Sequence, residues 1–181
     1  MNNRNLWAPW RRAYLEDLLH QASLNDDAPA ESASFLSTYW AQPEHDEAHH
    51  VIHRNDVGMI MLNRYPYANG HLLVALGDAR PTLLDYDADQ RAAMWSLVDL
   101  ATALVTIALS PQGVNVGINQ GHAAGAGVPS HLHAHVVPRW EADTNFITVV
   151  GRVRVVPDAL ESMASTMRSA LPTALARVKG V

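Results

Sequence analysis

The chain has 181 residues, 48% of them hydrophobic and 17% charged, a balance that fits one globular domain with its own core and excludes a disordered segment. A formal charge of −5 excludes nucleic-acid recognition through a broad basic surface, but leaves room for a small anionic ligand held by a few local donors. The absence of cysteine excludes disulfides and every zinc site that needs a thiolate.

The N-terminal stretch MNNRNLWAPWRRAYL has neither the apolar centre nor the cleavage-like site of a secretory signal. The longest apolar runs read as too short or too interrupted to cross a bilayer, so a cytoplasmic protein with no membrane partner is expected. Leu6 to Gln21 is expected as a short helical segment whose Trp7, Trp10 and Tyr14 pack on the body or on a partner subunit. Asn25 to Ser34, NDDAPAESAS, is polar and small and reads as a linker, so residues 1–34 are set apart from a single domain at 35–181.

Val51 to His53 and Met59 to Asn63 read as strands around an Asn55-Asp56 turn, and His71 to Leu76 as a short apolar strand after the Tyr65–Gly70 loop. Asp87 reads as an N-cap with Gln90 at the third helical position. The helix that follows places Met94, Leu97, Val98, Ala101, Leu104, Val105 and Ala108 on one face and ends near Ser110-Pro111. Gly113 to Asn119, His131 to Arg139 and Ile147 to Val156 read as further strands, and Asp158 to Leu171 as a terminal helix stopped by Pro172. No internal repeat is evident. The pattern predicts an α+β fold: a mostly antiparallel five-stranded sheet, a central helix and a C-terminal helix.

The run HLHAHVV, His131 to Val137, carries the chemistry. In a strand, His131, His133 and His135 share one face, and Leu132, Ala134 and Val136 turn to the other, where the helix can pack. Same-face neighbours lie about 7 Å apart, so the three imidazoles can address one polyatomic ligand. Ligand atoms around one zinc sit only about 3.3 Å apart, which makes a single tetrahedral metal harder to serve. The loop just upstream, Gly121-His122-Ala123-Ala124-Gly125-Ala126-Gly127, can turn backbone N–H groups toward phosphate oxygens. A neutral histidine is a good nucleophile toward phosphorus. A metal site and a merely decorative histidine strand remain the competing readings.

His131-Leu132-His133-Ala134-His135-Val136-Val137 resembles the histidine triad pattern of a superfamily of nucleotidyl hydrolases and transferases. Asn63-Arg64-Tyr65-Pro66 with Gly70-His71-Leu72-Leu73-Val74 resembles that family's ribose-binding strand, and Asn119-Gln120-Gly121 with Ala124-Gly125 its phosphate loop. LWAPWR near the start, and HVVPRW followed by Asp143, Asn145 and Phe146, are similar to the bacterial diadenosine tetraphosphate phosphorylase-like branch.

The resemblance implies that His133 attacks the α-phosphorus and becomes nucleotidylated, with the His131 carbonyl holding its Nδ1 proton. It implies that His135 and His71 support phosphate oxygens or the leaving group, and that Asn63 binds ribose. Asn119, the Gly125 loop and the N–H groups of Ala126 and Gly127 would contact phosphate, and Trp140 would shape the pocket. For Asn63 the competing reading is a side chain that closes a turn, and for Trp140 plain packing. Many relatives carry a hydroxyl-bearing residue where this chain has Ala126-Gly127, with Ser130 as a substitute donor here. Many also carry a Cys-x-x-Cys zinc knuckle before the first strand, where this chain has Phe35 to Trp40 and no metal is expected. No cofactor is required, although a divalent cation can accompany the polyphosphate. His45, His49, His50 and His53, beside Glu44, Asp46 and Glu47, read as a solvated polar surface.

The expected function is therefore nucleotidyl transfer from a nucleoside polyphosphate through a His133–nucleotide intermediate. Phosphate as acceptor makes it a diadenosine tetraphosphate phosphorylase giving ATP and ADP; water makes it a hydrolase. A phosphoramidase, a nucleotide-binding module without turnover and a metal-binding protein are the alternatives. A homodimer or higher homo-oligomer is expected from the family.

Overall fold

The computed structural model describes residues 34–141, 143 and 158–180. The Leu6–Gln21 segment with Trp7, Trp10 and Tyr14, all but the last residue of the Asn25–Ser34 stretch, and the expected strand Ile147–Val156 lie outside the described residues.

The described chain runs α1 (Phe35–Ala41), β1 (Val51–Arg54), β2 (Gly58–Leu62), β3 (Leu72–Leu76), α2 (Ala88–Leu109), β4 (Gly113–Ile118), β5 (His133–Arg139) and α3 (Leu160–Val178). The five strands form one sheet in the order β1-β2-β3-β5-β4, with every neighbouring pair antiparallel. The expected α+β sheet with its central and C-terminal helices is what the structure contains. The turn between β1 and β2 closes on Asn55, whose side-chain oxygen accepts the N–H groups of Val57 and Gly58 at 3.0 and 2.9 Å.

Alternation divides the sheet into two faces. Ile52, Ile60, Leu62, Leu72, Val74, Leu76, Leu132, Ala134 and Val136 share the main core with α2 and α3. Val51, Met59, Met61, Leu73 and Ala75 form a smaller core with Leu36, Tyr39 and Trp40 of α1. The histidines of β5 alternate with Ala134 and Val136, so they turn away from α2.

The Asp87–Gln90 capping box forms as read: the Gln90 N–H reaches Asp87 Oδ1 at 2.8 Å, and the Asp87 N–H reaches Gln90 Oε1 at 3.0 Å. The expected core face of α2 is buried from Met94 to Val105. Contrary to the reading of the apolar runs, α2 is long and apolar enough, by length and composition, to cross a bilayer; its mean hydropathy reaches 1.8. It is the core helix here, and its hydropathy serves the sheet it lies under.

Among the element ends that differ from expectation, two bear on the site and the core. β5 starts at His133 rather than His131, because the N–H groups of His131 and Leu132 leave the sheet for the carbonyls of Val128 and Arg80, at 3.3 and 2.8 Å. The terminal helix does not stop at Pro172 but runs to Val178 with that proline inside it. An interior proline removes one hydrogen bond and costs about 3 kcal/mol. Packing beyond it offsets the loss: Ala174 is fully buried in the main core, and Leu171 and Leu175 pack beside it.

Candidate active site

Four imidazoles converge where β3 lies beside β5. The register sets Ala75 opposite His133 and Leu73 opposite His135, and His71 sits one residue ahead of β3. All four are buried; His71 and His131 are fully enclosed, while His133 and His135 keep 5% and 9% exposure at the rim.

Each ring has an assigned partner. His131 Nε2–H donates to the Leu76 carbonyl at 2.7 Å, and its Nδ1 receives Ser34 Oγ and Ser37 Oγ at 3.0 and 3.1 Å. His133 Nδ1–H donates to the His131 carbonyl at 3.0 Å, which leaves the lone pair on Nε2. Burial lowers the pKa of His133, with the His131 carbonyl opposing it in part. Burial also lowers His131, and pushes His135 down to about 4 with help from His133. All three are therefore neutral at neutral pH, and His133 presents an uncharged nucleophilic nitrogen.

The tautomers of the second pair follow from one amide. The Tyr67 N–H points at His71 Nδ1 from 3.0 Å, and Asn63 Nδ2 adds a donor at 3.2 Å. His71 Nδ1 is thus an acceptor, and a neutral ring must carry its proton on Nε2. That proton points at His135 Nδ1, 3.0 Å away. His135 in turn carries its own proton on Nε2; Asn119 Nδ2 stands 3.4 Å from that atom, and a half-turn of the amide would bring its oxygen there as acceptor. The Tyr67 ring covers the pair, with centroids 4.6 Å from His71 and 5.6 Å from His135.

The remaining predicted residues divide. Asn63 closes a turn, as its competing reading has it: its side-chain oxygen accepts the Tyr65 N–H at 2.9 Å, and its side chain also lines a cleft of about 220 Å³ with Arg64, Asn69, His71 and Asp158. His122–Ala124 form a 3₁₀ turn, flanked by Gly121 and Gly125, both at positive φ. The loop closes on itself: the Ala126 N–H donates to the Gly121 carbonyl at 3.2 Å. That N–H, expected to contact phosphate, is engaged within the loop here. The Gly127 N–H has no hydrogen-bond partner among the described residues. Ser130 is exposed. Trp140 is half-buried, with its N–H 3.3 Å from Asp143 Oδ2.

Several contributors escaped the sequence reading. Ser34, Ser37 and Tyr67 touch the histidines, and α1, which presents the serines, occupies the stretch compared with a zinc knuckle. Arg54 fastens the far end of α1 through the carbonyls of Tyr39 and Trp40, both at 2.9 Å, and pairs with Asp46. The second histidine cluster is not wholly solvated: His49 stacks on Tyr39 with centroids 3.7 Å apart, and its Nδ1 is buried without a hydrogen-bond partner among the described residues. Among the described residues no group of three or more His, Asp or Glu is placed to hold a metal ion.

A fold that presents a buried histidine triad on one sheet face, beside a glycine-bearing loop, defines a class, and the comparisons give the same class. A family profile described as HIT domain matches residues 44–142. The chain is 36% identical over 158 residues to an AP-4-A phosphorylase of Mycobacterium tuberculosis, covering 87% of this chain and 78% of that one. It is 31% identical over 93 residues to an asymmetrical bis(5'-nucleosyl)-tetraphosphatase of Schizosaccharomyces pombe, covering 51% of this chain and 50% of the other. The crystal structure of a zinc-bound histidine triad family protein from Mycobacterium smegmatis superimposes with a TM-score of 0.62 at 27% identity, over 77% of this chain and 96% of that one. The chain belongs to the histidine triad family.

Proposed function

We propose that this protein is a dinucleoside polyphosphate phosphorylase, acting on diadenosine tetraphosphate through a nucleotidyl–His133 intermediate. The observation that carries the reading is the His133 ring, neutral in its buried site, with Nδ1–H held on the His131 carbonyl at 3.0 Å and the Nε2 lone pair left for attack. In the first step Nε2 forms a bond to the α-phosphorus and the bond to the bridging oxygen breaks, releasing ATP. His135 Nε2–H is a hydrogen-bond donor for a phosphate or leaving oxygen. In the second step an oxygen of inorganic phosphate displaces the nitrogen and ADP leaves.

The 36% identity to a mycobacterial AP-4-A phosphorylase supports phosphate as acceptor. The shorter match to an asymmetrical tetraphosphatase keeps one second reading, in which water takes the nucleotidyl group and the products are ATP and AMP. Product analysis separates them. ADP formed only when phosphate is supplied supports the phosphorylase; AMP formed regardless of phosphate sinks it. The homo-oligomer expected from the resemblance belongs to the same proposal, and a monomer by light scattering at micromolar concentration would refute that part.

A further inference from the structure

His131 is enclosed on every side, and its ring is not available to substrate. Its Nε2–H is committed to the Leu76 carbonyl at 2.7 Å, so Nδ1 carries a lone pair. Two hydroxyls converge on that lone pair, Ser34 Oγ at 3.0 Å and Ser37 Oγ at 3.1 Å. The hydroxyls lie 3.0 Å from each other, and Ser34 Oγ also accepts the Ser37 N–H at 3.1 Å. One hydroxyl donates to the ring while the other donates to its neighbour, and either can take the first place. We propose that Ser34 and Ser37 are positioning residues that lock the His131 ring and, through it, the main-chain carbonyl that holds the His133 proton.

Three features make this a rigid device rather than a surface contact. The ring is fixed at both nitrogens, by β3 on one side and by α1 on the other, so it cannot rotate without breaking a buried bond. The serines stand on a helix that is itself bolted down. Leu36, between them, is fully buried in the smaller core, Trp40 lies against Gly77, and Arg54 holds the helix end. The partners are 97 and 94 residues apart in the chain, so no local turn requires them to meet.

The inference rests on the proposed role of His133 for its effect on turnover, but the proton position can be read without substrate. Single variants Ser34→Ala and Ser37→Ala each leave one hydroxyl and are expected to keep kcat within about threefold. The double variant S34A/S37A is expected to lose roughly 10- to 100-fold in kcat, the usual effect of removing a supporting hydrogen bond, with KM changed less than about twofold. Ser34 is also the N-cap of α1, so S34T/S37T, which keeps both cap and hydroxyls, serves as the control and is expected to retain most of kcat. In the free protein, ¹⁵N NMR is expected to show His133 with its proton on Nδ1 alone, and a mixture of tautomers in the double alanine variant. Two results overturn the proposal: a double alanine variant with wild-type kcat and a single Nδ1–H tautomer, or equal losses in the alanine and threonine variants. Failure of the wild type to use any dinucleotide sinks the proposed function instead, and the NMR comparison still decides the role of the serines.

Discussion

His71 Nε2 lies 3.0 Å from His135 Nδ1, and the direction of that bond is set from outside the pair. The Tyr67 main-chain N–H, 3.0 Å from His71 Nδ1, has a proton it does not give up. His71 must therefore donate and His135 accept; the reverse would leave His71 without a proton on either nitrogen. The chain of bonds ends at an amide, so it cannot deliver a second proton to the site. It orients His135 and keeps a donor on its Nε2.

Removing that orientation has a specific consequence. In His71→Ala the His135 ring loses its donor and can turn its lone pair toward a phosphate oxygen. Steady-state kinetics are expected to show kcat down about 10²-fold, within the range for misplaced acid–base groups, with KM changed much less. His71→Gln, whose amide can still donate to Nδ1, is expected to recover part of the loss. A double-mutant cycle of His71→Ala with His135→Ala should be strongly non-additive, and additive losses would mean the two rings act separately.

The nucleophile is tested by its absence. His133→Ala is expected to lower turnover by about 10⁴-fold or more, as loss of a covalent nucleophile does. Calorimetry should still detect nucleotide binding, because the loop and the other three histidines remain. Residual turnover within tenfold of the wild type would remove His133 from the mechanism.

Burial of the histidines gives a pH dependence with a definite sign. The unfolded chain takes up protons on histidine as the pH falls through 6.5, whereas His135 stays neutral in the fold down to about 4. Between those values the unfolded state binds more protons, so stability is complete above 6.5 and declines toward 4. His135 contributes no more than about 3 kcal/mol to this change. The lowered values of His131 and His133 act in the same direction. Urea midpoints measured at pH 7.5, 5.5 and 4.5 are expected to fall in that order. The acid limb of kcat/KM should likewise lie below 6.5, and a limb at or above 6.5 would contradict the neutral, buried triad.

Much of this site was legible because period-two alternation is local. HLHAHVV places its histidines opposite Ala134 and Val136 whatever the rest of the chain does, and Asp87–Gln90 announces its helix through a motif four residues long. The rest depends on distant partners. The stretch FLSTYWA has aromatic and β-branched residues and no strong helical pattern; α1 forms where the sheet residues of the smaller core, His131, Gly77 and Arg54 receive it. The His71–His135 bond needs β3 beside β5, 64 residues apart. The Ala126 N–H meets the Gly121 carbonyl across its own loop, a closure that composition does not reveal.

Pro172 was read as a stop because the rule for proline is local, and the core overrides it. The helix continues for six residues to place Ala174 and Leu175 against the core. Pro172→Ala restores a main-chain donor at that position without altering either contact. Urea unfolding is expected to show a gain of about 1–3 kcal/mol. A loss would mean that the proline sets a bend on which the packing of α3 depends.

Gly77 is the point where the sheet admits α1. A Cβ at that position would lie 2.1–2.5 Å from the Trp40 indole, far inside contact distance. Trp40 cannot easily yield, because the Arg54 guanidinium sits 4.7 Å over its ring and also holds its carbonyl. Gly77→Ala is therefore expected to push α1 away from the sheet, at about 1–3 kcal/mol in urea unfolding, the usual cost of overpacking. The serines at the other end of the same helix would move off His131. The variant should then show the mixed His133 tautomers expected of S34A/S37A, although neither serine is altered. A destabilised protein with a single Nδ1–H tautomer would mean that Trp40 gives way alone and that the two ends of α1 are not mechanically joined.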